Sequence, residues 1–326
     1  MGRGFFQHTY GILPHRRPIT TVEIRSILLA QWTSNYQWAL KNVKVLQASS
    51  YEPDCITLFV NFAISSVKCL SIFNSIRRYF PLRLIKVANL PSDKNYILAC
   101  FPHAVLPIGC FANLCTNTNS VAELFPDIDI RTVTLSSMFH FPLTRELLMA
   151  FGLCTANKKN ILHLLNSSPS KAVMVFPGGI KEYRLSHPGK VYTIVKNRKG
   201  FIRVALESGS SLVPVFSFGE QNTFDTQEFK SPILIGLNKL FYKCTRGTII
   251  LVMGRGFFRH NYGILPHRRP ITTVVGKPID VPKVENPPAE LVDEYHERFF
   301  NALIDLFKEY KYKYDEAGDE AQLVMV

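Results

Sequence analysis

The chain has 326 residues, of which 47% are hydrophobic and 12% aromatic, and its formal net charge is +13. This hydrophobic content is too high for a disordered protein, and the length allows one large α/β domain or two small ones with a sizeable core. The basic charge favours an anionic partner: nucleic acid, anionic lipid or a phosphate-bearing cosubstrate such as coenzyme A. A charge that serves solubility alone is the alternative that composition leaves open.

The N-terminal quarter of the chain has two unusual features. Residues 1–23 and 253–275 match at all but three positions, 7/259, 9/261 and 23/275. Repeat folds use three or more diverged copies, so this single pair indicates a recent duplication or a faulty gene model. We expect 253–279 to belong to the fold and 1–23 to lie outside the core. The apolar run Cys55–Phe73 contains Asn61 and Lys68, which favours a buried or interfacial helix over a membrane span.

From about Leu82 onward, short apolar runs alternate with longer helical patterns. Strands are predicted at 95–101, 130–135, 172–176, 212–218, 248–252 and 271–275, and helices at 143–151, 160–165, 199–208 and 290–310. Pro214 predicts an edge or irregular position for its strand. The alternation predicts an α/β fold with a mostly parallel sheet flanked by helices, in which ligands bind at the carboxyl ends of the strands.

Seven cysteines occur without a CxxC pair, and this pattern predicts a reduced, cytosol-facing chain with buried thiols. The cysteines and histidines show no metal-ligand spacing, so no metal is expected. The chain also lacks Gly-x-Ser-x-Gly, which argues against a serine hydrolase with a covalent intermediate.

The first candidate motif is Phe101-Pro102-His103-Ala104, at the end of a predicted strand. Proline fixes the turn, and histidine has the unperturbed pKa nearest to neutral pH, which suits removal of a proton from a hydroxyl. The small side chain of Ala104 leaves room beside the ring. A single histidine after a strand is more often a packed or surface residue, so the motif alone favours that simpler interpretation.

The second motif is Phe176-Pro177-Gly178-Gly179, which also ends a strand and is followed by Glu182. The backbone N–H groups of such a turn can hold a phosphate or a developing oxyanion. An ordinary tight turn is the alternative.

Two charged segments follow. Arg198 and Lys199 precede a predicted helix, where cations oppose the helix dipole and, together with the N-terminus, suit an anion. A solvated charge run is the alternative for these two residues. Glu220 follows a strand and could orient His103 or a substrate hydroxyl, or it could be a surface carboxylate.

In their order and spacing, these motifs resemble the diacylglycerol acyltransferase type 2 family, which includes monoacylglycerol and wax-alcohol acyltransferases. The similarity runs from about Asn74 to Tyr314 and is most specific from Arg198 to Glu220 and around Pro270. The matching segments are Tyr79–Pro81, Phe101–Ala104, Phe176–Gly179 with Glu182, Asn197–Phe201, Leu212–Pro214, Ser217–Glu220 and Pro270–Ile279.

The resemblance implies transfer of a fatty acyl group from acyl-coenzyme A to a glyceride or long-chain alcohol. It places this reaction at the endoplasmic reticulum membrane or at lipid droplets, with the active site facing the cytosol. Acyl-coenzyme A is then a cosubstrate and no cofactor is expected. The basic residues are scattered, so nucleic acid is not an expected partner. A non-catalytic relative that binds lipid or acyl-coenzyme A is the alternative.

The resemblance also assigns site residues. The family's usual motif is His-Pro-His-Gly with the second His catalytic, and here Phe101 and Ala104 replace the first His and the Gly while His103 is kept. The family's Gly-Gly and following Glu correspond to Gly178, Gly179 and Glu182. These residues, with Ala104 and Glu220, would support the oxyanion or orient groups, and Arg198 and Lys199 would hold coenzyme A phosphates.

The predicted organisation has four parts. They are a duplicated appendage at 1–23, an N-terminal region with a weak apolar segment at 24–73, an acyltransferase domain at 74–314 and a frayed acidic tail at 315–326.

Overall fold

A computed structural model of the chain describes residues 71–325 except 142, 180–181, 183–189, 194–195, 228, 246–248, 250, 257–262, 264, 317 and 319–321. The predicted appendage at 1–23 and nearly all of the region at 24–73 lie outside the described residues. The division of the chain into four parts therefore stays a prediction.

The described residues form eleven strands, eight α-helices and three short 3-10 helices. The strands are β1 Leu82–Lys86, β2 Tyr96–Phe101, β3 Asp129–Thr134, β4 Cys154–Thr155, β5 Lys171–Val175, β6 Lys190–Thr193, β7 Ser211–Phe218, β8 Asp225–Gln227, β9 Leu251–Met253, β10 Ile271–Val275 and β11 Gln322–Met325. The α-helices are α1 Ser71–Tyr79, α2 Ile108–Cys115, α3 Val121–Leu124, α4 Thr144–Ala150, α5 Lys158–Ser167, α6 Gly200–Ser208, α7 Pro232–Thr245 and α8 Ala289–Tyr314. The 3-10 helices are Asn117–Asn119, Ser136–His140 and Glu220–Thr223.

Seven strands form the main sheet in the order β1-β10-β7-β2-β5-β3-β4. Every neighbouring pair is parallel except β10 with β7. The prediction of a mostly parallel α/β sheet flanked by helices is confirmed. Since β1 and β10 run against the other strands, their first residues lie at the edge where β2, β5 and β7 end with Phe101, Val175 and Phe218. We call this edge the upper edge.

Both faces of the sheet are covered, as the alternation of side chains along β2 shows. Ile97, Ala99 and Phe101 belong to the core cluster formed with helices α5, α6 and α8. The intervening residues of β2 belong to a second core cluster on the opposite face, which includes residues of α2. The sheet is therefore packed on both faces and supports the turns at its upper edge.

Of the two positions predicted for Pro214, the edge strand is wrong, because β7 is an interior strand between β10 and β2. The N–H and C=O of one strand residue face the same neighbour, and the carbonyl of Pro214 accepts a hydrogen bond from Gly276 on the β10 side. The last paired residues of β7 and β10 are Val215 and Val275. The N–H that proline lacks would therefore point to the end of this ladder. An interior strand can accept proline at such a position because no ladder hydrogen bond is lost.

The end of the chain also differs from the prediction. The tail predicted to be frayed includes β11, which pairs in parallel with β6 from Gln322 with Lys190 to Met325 with Thr193. Three of its four residues are apolar, and backbone pairing stabilises a segment whose acidic residues lie before it. Within the described ranges, no helix combines the length and apolar character needed to cross a bilayer.

Candidate active site

The turn after β2 sends its side chains in different directions. Phe101 is fully buried in the core, with its ring centroid 6.3 Å from that of Phe299. His103, two residues further along, lines a large cavity. Ala104 is buried and has φ +47°, in the left-handed region that favours glycine. The glycine of the family motif therefore meets a conformational requirement here, whereas position 101 is a core position.

The backbone of His103 is held by a carboxylate from the other motif. Glu182 is buried, and its Oε2 accepts a hydrogen bond of 2.8 Å from the backbone N–H of His103. A Cβ added to Gly178 would lie 1.9 Å from the carboxyl carbon of Glu182, so any larger residue there would displace this carboxylate from His103. Gly179 has φ +54° and lines the cavity. The structure thus brings the two predicted turns together at the ends of β2 and β5.

The ring of His103 is half-buried, and its contacts define its tautomer. The ring packs edge-on against Phe176, with centroids 5.4 Å apart. Its Nδ1 lies 3.0 Å from the carbonyl oxygen of Ala104, and a carbonyl can only accept, so this hydrogen bond places a proton on Nδ1. In the neutral ring, the lone pair is then on Nε2.

Burial lowers the pKa of His103 below its ordinary value of 6.5, while hydrogen bonds to the backbone oppose this effect. Burial is the larger influence, because it disfavours the charged imidazolium. The ring is therefore neutral at neutral pH and can accept a proton.

The cavity beside His103 has a volume of about 1150 Å³ and largely apolar walls. The apolar lining includes Val105, Leu106, Ile108, Phe111, Val133, Leu135, Met138, Leu153, Ile161, Val175, Phe176, Phe201 and Val204. Four basic residues complete the wall, namely Lys158, Arg198, Lys199 and Arg203. A molecule with a long apolar part and an anionic part would match this combination.

The predicted cations Arg198 and Lys199 lie just before α6, whose first residues Gly200 and Phe201 also line the cavity. Lys199 forms an ion pair of 2.5 Å with Asp293. In the part of the chain that the structure describes, no carboxylate lies within ion-pair distance of Arg198. The amino end of α6 adds its own positive potential to this wall.

Glu220 lies beneath the first turn of α2. It is fully buried, and both carboxylate oxygens accept from the backbone N–H of Gly109, at 2.8 and 2.9 Å. Ser217 donates its hydroxyl to the same carboxylate at 2.8 Å. Burial raises the pKa of Glu220 to about 7, and the hydrogen bonds from Gly109 and Ser217 oppose the rise. The alternative of a surface carboxylate is wrong, because the side chain is enclosed.

A buried polar cluster extends from this carboxylate. The hydroxyl of Ser217 lies 3.1 Å from that of Thr273 on β10, and Asn113 of α2 donates to Thr273 at 2.8 Å. The cluster ties α2 to β7 and β10. Because α2 begins five residues after His103, Glu220 supports the segment that follows the candidate base.

Two cations of the cavity were absent from the predictions. Arg203 lies four residues after Lys199, on the same side of α6, and this spacing is a signal that could have indicated it. Lys158 begins α5 and forms an ion pair of 2.7 Å with Glu207. No local pattern indicates Lys158. It reaches the cavity only because the fold places the start of α5 beside β3, β5 and α6, which are distant from it in the sequence.

Comparison with known proteins decides the family. A family model described as diacylglycerol acyltransferase matches residues 60–325. The chain belongs to the diacylglycerol acyltransferase family. Its membership confirms the family predicted from the motifs and makes the chain an acyl-transferring enzyme.

Relatives of this diacylglycerol acyltransferase family member differ in their named acceptors. The chain is 39% identical to diacylglycerol O-acyltransferase 2 of Dictyostelium discoideum, over 76% of each chain. It is 38% identical to 2-acylglycerol O-acyltransferase 1 of Bos taurus and 36% identical to acyl-CoA wax alcohol acyltransferase 1 of Mus musculus. The first of these alignments covers 76% of this chain and 75% of the relative, and the second covers 76% of each. Among solved structures, the 1-acyl-sn-glycerophosphate acyltransferase of Thermotoga maritima is similar at 14% identity and a TM-score of 0.43, covering 88% of this chain and 99% of that one.

Proposed function

We propose that this enzyme transfers a fatty acyl group from acyl-coenzyme A to a hydroxyl of diacylglycerol or monoacylglycerol, with His103 as the base. The observation that carries this proposal is a single cavity that combines His103, extensive apolar walls and a group of cations. The relatives named above act on diacylglycerol, 2-acylglycerol or wax alcohols, all of which present a hydroxyl on an apolar body.

The proposed reaction is a direct transfer. The acceptor's hydroxyl proton moves to Nε2 of His103 while its oxygen forms a bond to the thioester carbonyl carbon. The resulting tetrahedral oxyanion receives hydrogen bonds from backbone N–H groups near Gly178 and Gly179, or near Ala104. The C–S bond then breaks with its electron pair on sulfur, and the proton on His103 passes to the coenzyme A thiolate.

Arg198 and Lys199 are proposed to hold the phosphates of coenzyme A. They lie at the amino end of α6, where helix potential and side-chain charge act in the same direction. The apolar walls then accommodate the acyl chain and the body of the acceptor. In this arrangement, Glu182 fixes the backbone of His103 and Glu220 holds the start of α2, so both support the base without touching substrate.

We also propose that the enzyme works at the endoplasmic reticulum membrane or a lipid-droplet surface, with its site facing the cytosol. The support is chemical, because glycerides are concentrated in lipid phases while acyl-coenzyme A carries charged phosphates. A cavity with both apolar and cationic walls suits an enzyme at the boundary between lipid and water.

Replacing His103 with Ala tests the proposal. We expect incorporation of labelled oleoyl-coenzyme A into neutral lipid to fall by roughly 100-fold or more, because general-base catalysis contributes on the order of 10²–10⁴. His163→Ala, an exposed histidine on α5, is the matched control and should keep full activity. Retained activity in the His103 variant would refute the assignment. Binding of acyl-coenzyme A without turnover by the unaltered chain would instead identify a non-catalytic relative.

A further inference from the structure

Exposed apolar side chains concentrate in the connections that leave the upper edge. Almost every large apolar side chain that is exposed in the described ranges lies in a connection that leaves this edge: after β2, between β3 and β4, or between β7 and β10. These residues are Leu106, Leu135, Met138, Phe141, Leu143, Leu147, Met149, Ile233, Leu234, Ile235, Leu237, Leu240, Phe241, Tyr242, Ile249, Leu251 and Leu265. The remaining one, Tyr312, lies near the end of α8, where neighbouring Tyr314 contacts Phe218 at the end of β7. These apolar segments therefore follow strands that end at the upper edge, and three of their exposed side chains, Leu106, Leu135 and Met138, also line the cavity.

Helix α7 is the most exposed of these segments. Its apolar residues are exposed around most of the helix, with Ile233 75%, Leu237 57% and Leu240 58% exposed, and Lys239 and Lys243 occupy the remaining side. Asn238 anchors the helix by accepting from the N–H of Ile249 and donating to its carbonyl, both at 2.9 Å. At about 1.5 Å per residue, its 14 residues span about 21 Å, which is shorter than the roughly 30 Å hydrocarbon core of a bilayer.

The charges around α7 have one sign. The segment 229–256 contains five basic residues and no Asp or Glu. Lys239 and Lys243 lie within the helix and are exposed. A short helix with large apolar residues and basic but no acidic side chains is typical of segments that lie in the interface of an anionic lipid surface.

We propose that α7 inserts into the headgroup region of a phospholipid surface that contains anionic lipid, and that the upper edge faces this surface. Its leucine, isoleucine and phenylalanine side chains reach the acyl chains, and its lysines bind the phosphates. The mouth of the cavity, lined by exposed Leu106, Leu135 and Met138, then opens toward the lipid. This inference rests on the membrane association proposed above and is independent of the acyl-transfer chemistry.

A lipid surface fits α7 better than a groove on a protein partner. A helix bound in a protein groove presents one apolar stripe, with anchors three and four residues apart. On α7, apolar residues also occupy consecutive positions, as at 233–235 and 240–242. An environment that surrounds the helix on several sides matches this distribution, and the absence of acidic residues across 229–256 adds the charge preference.

The exposed Cys244, in the last turn of α7, allows a local test in the full chain. Cys55, Cys69 and Cys154 are changed to Ser, an environment-sensitive fluorophore is attached to Cys244, and the protein is reconstituted with vesicles of phosphatidylcholine and phosphatidylserine. We expect the emission to shift to the blue and to be quenched by lipids brominated on the acyl chain. The control places the label at exposed Asn286, beyond the opposite edge of the sheet, and should show neither effect.

Two variants identify the interactions. Leu237→Ser with Leu240→Ser should lose most of the quenching at the label on Cys244. Lys239→Gln with Lys243→Gln should lose the additional quenching that phosphatidylserine produces in the unaltered chain, because each lysine strengthens binding roughly fivefold on an anionic surface. In pure phosphatidylcholine, the variant and the unaltered chain should be quenched equally.

Three results would overturn the proposal. An unquenched Cys244 label in protein that floats with the vesicles refutes the docking of α7 alone. A blue shift that needs no lipid and grows with protein concentration would show that a second copy covers the helix. A chain that does not float with vesicles refutes the membrane association as well, whereas acyl transfer in detergent would still be measured separately.

Discussion

Replacing Glu220 with Gln removes a buried charge while keeping the shape of the side chain. The amide oxygen can still accept from Gly109, and the amide nitrogen can donate to Ser217, whose hydroxyl has Thr273 as a second partner. The variant should therefore fold. It differs from the wild type mainly in having no proton to gain or lose.

The pKa of Glu220 gives the sign and size of the effect. Its folded pKa of about 7 lies above the ordinary value of 4.5, so between these pH values the folded chain holds a proton that the unfolded chain has released. The free energy of unfolding of the wild type is therefore unaffected by Glu220 ionisation below pH 4.5, and this stability is lost as pH rises through about 7. At about 1.4 kcal/mol for each pH unit, the wild type loses roughly 3 kcal/mol over this range relative to the variant.

The measurement compares wild type and Glu220→Gln in detergent from pH 4.5 to 8. A difference of roughly 3 kcal/mol in the free energy of unfolding corresponds to a change of about 6–12 °C in the relative melting temperatures of a domain of this size. The contributions of all other titrating groups to the pH dependence are the same in wild type and variant, so they cancel in the difference. Glu285→Gln, an exposed carboxylate changed in the same way, should show no such pH dependence. Identical pH profiles for wild type and Glu220→Gln would refute the burial argument.

Three further changes test the geometry of the turns and of the cavity. Ala104→Val should lower the free energy of unfolding by about 2 kcal/mol, because a β-branched residue at positive φ is strained, whereas Ala104→Gly should stay within about 1 kcal/mol; equal effects in denaturant unfolding would contradict this. Gly109→Ala should cost about 1–3 kcal/mol, since its Cβ would overlap three side chains, while Gly236→Ala in open space on α7 should gain about 1 kcal/mol. A stable Gly109 variant would show that α2 can shift without penalty. Arg203→Gln should raise the KM for acyl-coenzyme A several-fold with little change in kcat, and Arg298→Gln on the outside of α8 should leave both unchanged; steady-state kinetics that show the same KM in both would exclude Arg203 from phosphate binding.

Much of the fold could be predicted because its strands are short and strongly apolar. The runs that became β2, β5 and β7 are bounded by proline or glycine, and a buried parallel sheet requires such continuous apolar runs. The long helix α8 was clear from the four-residue spacing of Tyr295, Phe299 and Leu303, all of which are buried. For these elements, the local pattern of buried apolar residues was sufficient to predict the strand or the helix.

The arrangement of the candidate site depends on contacts that no local pattern contains. The predicted Glu182 meets the backbone of His103 across 79 positions, and Glu220 meets Gly109 across 111. Sequence patterns indicate that a glutamate follows a strand, but the order of strands in the sheet decides which donor it meets. Pro214 did not mark an edge strand for the same reason. Its missing N–H falls where the β7–β10 ladder ends, and the strand order, not the local sequence, determines that end.

These long separations also bear on when the site can form during synthesis. The edge strand β1 pairs with β10, which lies almost two hundred residues later in the chain, and β10 also covers β7. Domains fold as their segments emerge from the ribosome, so the support around His103 cannot close until β10 has been made. During that interval the apolar strands of the sheet and the apolar segments of the upper edge are exposed together. A chain truncated before Ile271 would therefore be expected to require chaperone protection, even though it already contains every residue proposed to take part in catalysis.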